Sequence, residues 1–93
     1  METRKDIIIK NKAGLHARPA ALFVQIANKF ESDITIIKDG QEVNGKSIMG
    51  ILMLAAEKGA KIVVVAEGPD SEKAIKELSA VLLSNDIDND KNK

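Results

Sequence analysis

Asp39-Gly40 stands between two short strand-like segments, residues 34–38 and 41–44, and constrains the fold more than any other feature of the chain. An Asp-Gly pair between such segments is a two-residue hairpin signal, because both residues tolerate the positive φ that a tight turn needs. The two segments are therefore expected to pair antiparallel, which argues against a sheet wound wholly in parallel.

Two further apolar runs read as strands: residues 5–10, carrying Ile7, Ile8 and Ile9, and residues 61–67, carrying Ile62, Val63, Val64 and Val65. Helical periodicity fills the space between them. From Ala20 onward, Phe23, Val24, Ile26, Ala27 and Phe30 recur on one side, with Ala21, Gln25, Asn28 and Lys29 on the other. Ser47 is expected to cap a second helix over residues 48–56, which Gly59 would close in a left-handed conformation. A turn at Gly68-Pro69-Asp70 leads into a third helix with Ala74, Ile75, Leu78, Val81 and Leu82 as its apolar stripe. The order βαββαβα buries every stripe if three helices cover one face of a four-stranded antiparallel sheet, an α+β two-layer open-faced sandwich. The domain is expected over residues 1–84, followed by a polar tail at 85–93 in which only Ile87 is apolar.

A chain of 93 residues suffices for one such core and not for two. Its only aromatics are Phe23 and Phe30, so the core must be aliphatic. Fourteen basic and fourteen acidic side chains cancel, leaving no electropositive field of the kind that nucleic-acid binding uses. With no cysteine and a single histidine, neither a disulfide nor a histidine- or thiolate-rich metal site is expected, and no cofactor is implied. The isoleucine run near the N-terminus is too short for a signal-peptide core and no apolar stretch approaches membrane-spanning length, so residence in the cytoplasm without membrane insertion is the expectation.

The one histidine, His16, falls where the first strand ends and the first helix begins, in Gly14-Leu15-His16-Ala17-Arg18-Pro19. Pro19 is tolerated in a first helical turn, where its missing N–H has no intrahelical acceptor, and so places the helix start close to His16. Gly14 permits a tight turn before the histidine. The N–H groups of a first turn then face any anion carried on the ring, an arrangement suited to phosphate. A neutral imidazole is a competent nucleophile near physiological pH, and Arg18 would pair with phosphoryl oxygens by charge-assisted hydrogen bonds. A lone histidine in an arbitrary domain is more often a plain surface residue or cap, so the neighbours carry the reading.

Those neighbours, Gly14-Leu15-His16-Ala17-Arg18-Pro19-Ala20, resemble the active-site signature of the HPr family of phosphocarriers. A second block, Val43-Asn44-Gly45-Lys46-Ser47-Ile48-Met49-Gly50, resembles that family's regulatory-serine region at matching separation. The resemblance implies that His16 is phosphorylated on its δ1 nitrogen by enzyme I of the phosphoenolpyruvate-dependent phosphotransferase system. It implies that the phosphoryl group passes on to an enzyme II A domain for sugar uptake, with Arg18 assisting. The chain would then be a monomeric carrier without independent turnover. A branch serving nitrogen regulation stays open as the alternative, since Ala13 stands where many sugar-branch members carry serine or threonine.

Ser47 reads first as a helix cap. The resemblance adds phosphorylation there by an HPr kinase/phosphorylase, which would repel acidic docking surfaces and recruit a transcriptional regulator through an arginine. The unusually apolar second helix places Ile48, Met49 and Leu52 in the position of the family's docking patch, with Lys46 steering acidic partners. Ile51, Leu54 and Ala55 are expected in the core. A purely regulatory relative that carries no phosphate is a further alternative, against which His16 and Arg18 together argue. Residues 40–47 also fit the phosphate-binding loop of nucleotide enzymes, but Asp39-Gly40 as a hairpin turn and residues 41–44 as a paired strand leave that loop no room.

Overall fold

A computed structural model describes residues 1–10, 12 and 14–83 of the chain; Ala13 and the expected tail at 85–93 lie outside the described residues. The elements follow the order β1 (Glu2–Ile8), α1 (Ala17–Ala27), β2 (Asp33–Lys38), β3 (Gln41–Asn44), α2 (Ile48–Met53), β4 (Lys61–Glu67) and α3 (Ser71–Leu83). The four strands form one sheet in the order β1-β4-β2-β3, and every neighbouring pair is antiparallel.

The hairpin turn is where the Asp-Gly signal puts it, with φ of 52° at Asp39 and 82° at Gly40, and it sets Lys38 opposite Gln41. Alternation then sorts the side chains. Ile34 and Ile36 of β2 and Ile62, Val64 and Ala66 of β4 are buried on one face of the sheet, joined by Ile7 and by Ile9 just beyond β1. Phe23 and Ala27 of α1, Ile51 of α2, and Ala74, Leu78 and Leu82 of α3 close over that face. The result is an α+β open-faced sandwich with three helices on one layer. No helix among the described residues is long and apolar enough to cross a membrane.

Two elements depart from the sequence-based expectation. β1 starts at Glu2 rather than near Lys5, because Glu2, Thr3 and Arg4 pair with Glu67, Ala66 and Val65 of β4, and Gly68 N–H donates to the Met1 carbonyl at 2.9 Å. Pairing supplies what a polar sequence does not advertise. α2 ends at Met53 rather than Ala56, and the left-handed residue beyond it is Ala55, with φ 51°, instead of Gly59. Gly59 lies in the turn before β4, where its N–H donates to the Ile9 carbonyl at 2.8 Å.

Candidate functional site

His16 is the N-cap residue of α1, in an extended conformation with φ −101° and ψ −166°. Its carbonyl accepts the Ala20 N–H at 3.0 Å, the first bond of the helix, while its side chain makes no capping bond. The half-buried ring is thus not spent on the helix end. A helix that begins at Ala17 has no intrahelical acceptors for its first-turn N–H groups, and Pro19, third in the helix, has no N–H to satisfy. Arg18, second in α1, is exposed.

The segment that delivers His16 is fastened from the other side of the site. Leu15 N–H donates to the Ala56 carbonyl at 2.8 Å, and His16 N–H donates to the Gly14 carbonyl at 3.1 Å. Gly14 has φ 72°, and a Cβ built on it would crowd the Ala56 carbonyl and stand 2.8 Å from Glu57 Cα. Any larger residue would be refused twice, by conformation and by space. Leu15 itself is buried in the core.

Ser47 caps α2 as its position suggests: its hydroxyl accepts the Gly50 N–H at 3.0 Å, and the side chain is half-exposed. Asn44 prepares that cap, its side-chain oxygen accepting Lys46 N–H at 2.8 Å and its carbonyl accepting Ser47 N–H at 3.1 Å. Nothing in the periodicity marked Asn44; an Asn three residues before a helix cap is the local signal that was available. Gly45 packs against Ile34, to whose carbonyl its N–H donates at 2.7 Å. Lys46 is half-buried and its ammonium donates to the Phe30 carbonyl at 2.8 Å, so its charge is partly committed to the end of the α1 region. With β3 paired to β2 through residue 44, the stretch 40–47 is a hairpin arm and not a phosphate-binding loop.

α2 divides cleanly. Ile51 and Leu54 are buried as expected, whereas Ala55 is exposed, a correction that follows from the left-handed turn at that residue. Ile48 is exposed, Met49 is 67% exposed, and Leu52 is half-buried against the core. Met53, which the sequence reading did not single out, is 66% exposed and lies one turn from Met49 on the same face. α1 and α2 pack together, so the structure brings the His16 loop to the exit of α2 and Ser47 to its entrance. Two shallow grooves, one lined by Asp33, Thr35, Glu42 and Asn44 and one by Lys38, Ala55 and Lys58, include none of His16, Arg18 or Ser47. His16 is half-buried and Arg18, two residues on, is exposed, so the segment is reached from the protein surface.

Comparison with known proteins gives the same direction. Residues 3–84 match the family model described as "PTS HPr component phosphorylation site". The HPr-like protein Crh of Bacillus subtilis is 47% identical over 77 residues, covering 83% of this chain and 91% of that protein. A crystal structure of that Crh, described as a domain-swapped, intertwined dimer, matches with a TM-score of 0.71 over 82% of this chain and 87% of that one. The phosphocarrier protein HPr of Treponema pallidum is 48% identical over 71 residues, 76% of this chain and 81% of that one. The crystal structure of HPr from Bacillus anthracis is 51% identical, with a TM-score of 0.83 over 87% of this chain and 96% of that one.

Proposed function

The chain belongs to the HPr family of phosphocarrier proteins, and from that premise we propose that His16 accepts a phosphoryl group from enzyme I and relays it to an enzyme II A domain in sugar uptake. The observation that carries the proposal is the placement of His16 at the N-cap of α1 with its side chain not used as the cap. A neutral ring nitrogen forms its bond to phosphorus as the donor's bond to the same phosphorus breaks, and the reverse sequence at the acceptor returns the ring to its starting state. While the group is held, the positive end of α1 and the Arg18 guanidinium stabilise its charge. The hold is moderate, since a half-buried ring with one arginine near it lets the group leave.

Ile48, Met49 and Met53 offer the apolar ground on which both partners dock, and methionine adapts to more than one surface. Lys46 contributes steering only in so far as its bond to Phe30 allows. The protein acts as a monomer in the cytoplasm. Labelled phosphoenolpyruvate and enzyme I test the relay: the protein takes up label that is lost in acid, as a phosphoramidate is, and His16→Ala takes up none. Acid-stable label that survives the substitution would overturn it. Initial rates with enzyme I from the sugar and nitrogen branches then decide which relay the chain serves.

The similarity to Crh favours a second role beside the first. Ser47 is accessible and sits at a helix start, where a phosphate group is electrostatically tolerated. Phosphorylation by an HPr kinase/phosphorylase would leave the fold intact, weaken docking to acidic surfaces and create a ligand for an arginine-bearing transcriptional regulator. Incubation with that kinase and ATP, followed by mapping of the label, separates this role from the relay. Sedimentation at several concentrations distinguishes the monomer from a dimer like that of Crh.

A further inference from the structure

α2 stops before its own sequence requires it to. Leu54, Ala55 and Ala56 are strong helix formers, and neither glycine nor proline intervenes before Gly59. Nevertheless the helix ends at Met53, and Ala55 takes up φ 51°, a region that residues with a Cβ seldom enter. Local preference has been overruled, and such conflicts concentrate where a site is being shaped.

The Ala55 side chain is exposed, so burial of its methyl group does not explain the conformation. The two bonds that close the helix locally, Leu54 N–H to Ile51 and Ala55 N–H to Leu52, are those of a left-handed helix cap, a position that glycine or asparagine fills at less conformational cost than alanine. The consequence appears one residue later. Ala56 is buried, its carbonyl accepts the Leu15 N–H at 2.8 Å, and the Gly14 backbone closes directly against Ala56 and Glu57. In a helix continued through Ala56 that carbonyl would run parallel to the axis toward the following turn. The left-handed step redirects it to Leu15, the residue before His16.

We propose that Ala55 is a positioning residue: its left-handed backbone aims the Ala56 carbonyl at Leu15 and so fixes His16 relative to the exposed face of α2. The inference rests on the relay reading above, and it adds that docking and chemistry are registered to each other through this one backbone step. A partner seated on Met49 and Met53 meets the imidazole at a set offset only while the step is kept.

The test compares Ala55→Gly and Ala55→Asn, which tolerate the left-handed region, with Ala55→Val, which does not. Because position 55 is exposed, the valine variant changes backbone preference without overfilling the core. Two readouts are taken: amide hydrogen exchange at Leu15, and phosphoryl acceptance from enzyme I as a function of enzyme I concentration. Ala55→Val should speed Leu15 exchange and lower the saturating rate by about tenfold or more while KM stays within about twofold, since misplacement of reacting atoms and not docking is at fault. The glycine and asparagine variants should match the parent in both.

If the valine variant does not fold, Ala55→Leu, bulky but not branched at Cβ, carries the comparison. A valine or leucine variant with a protected Leu15 amide and an unchanged rate overturns the proposal, as does loss of rate with KM raised in proportion. If the parent accepts no phosphoryl group at all, the relay reading fails, and the exchange at Leu15 still decides whether Ala55 holds that amide.

Discussion

The carboxylate of Asp70 accepts both the backbone N–H and the hydroxyl of Ser32, at 3.0 and 2.5 Å, across 38 residues of chain. It also accepts the Glu31 N–H at 3.0 Å, while the Asp70 carbonyl accepts the Ala74 N–H and starts α3. One residue therefore ties the turn between α1 and β2 to the turn between β4 and α3. Ser32 is fully buried, and Gly68 approaches it so closely that a Cβ there would stand 2.7 Å from Ser32 Cα. Without Asp70 the Ser32 N–H and hydroxyl would be buried with no partner.

The Ser32 hydroxyl, and after it the Glu31 N–H, hold the Asp70 carboxyl below the usual aspartate range. A depressed folded-state value stabilises the fold above the unfolded-state value of about 3.9, and that contribution is lost as pH falls through the folded-state value. Asp70→Asn should therefore lower the melting temperature at neutral pH, and the gap to the parent should narrow as pH is taken below about 4. Thermal melts from pH 7 to pH 2 check this; a gap that stays constant with pH would show that the charge is not what Ser32 and Glu31 bind.

Gly45 is required by space. Its N–H bonds to Ile34, and a Cβ at this position would meet Ile34 Cγ2 at 2.5 Å and Ile34 Cβ at 3.0 Å. Ile34 is buried and cannot swing aside without disturbing the layer beneath α1. Gly45→Ala should cost about 1–3 kcal/mol, the range for overfilling a packed site. Urea unfolding with unchanged m-value measures it.

Ser47→Ala removes the one side-chain bond at the start of a six-residue helix. The expected loss is about 0.5–2 kcal/mol. Ser47→Asp keeps an acceptor for Gly50 and should restore most of that stability, yet it places a negative charge beside the docking face and should slow transfer from enzyme I. Denaturant midpoints and transfer rates measured on the same pair of variants separate capping from docking.

Hydrophobic pattern located the elements that bury a regular face, as Ile34 and Ile36, or Ile62 and Val64, alternate as the core demands, whereas β3, with no buried residue, was legible from the hairpin signal and α2 from its Ser47 cap. The Asp39-Gly40 turn was equally readable, being set by two residues alone. What periodicity could not supply were features decided by distant partners. The strand character of Glu2 to Arg4 comes from β4, the Ala56 carbonyl beyond α2 is bonded by the distant Leu15, and the importance of Asp70 comes from Ser32. In the site, the neighbours of His16 pointed to its place at a helix start. The exposure of Met53 and the engagement of Lys46 by Phe30 depended on packing that no short motif records.

That packing yields the sharpest contrast within α2, between Ile51 and Met49. Ile51 is wholly buried among the core residues, so Ile51→Ala deletes apolar contacts and leaves a cavity, at an expected cost of about 2–5 kcal/mol. Met49, two residues away, points outward, and Met49→Ala removes little that the folded chain uses; its stability should change by no more than about 0.5 kcal/mol. If the outer face of α2 is the docking ground, the same substitution should raise KM for enzyme I several-fold while leaving the saturating rate near that of the parent, because His16 is untouched. The double substitution Met49→Ala with Met53→Ala should deepen the KM effect and again spare stability. A Met49 variant that transfers with unchanged KM would remove α2 from the interface and leave its exposed methionines without a role in docking.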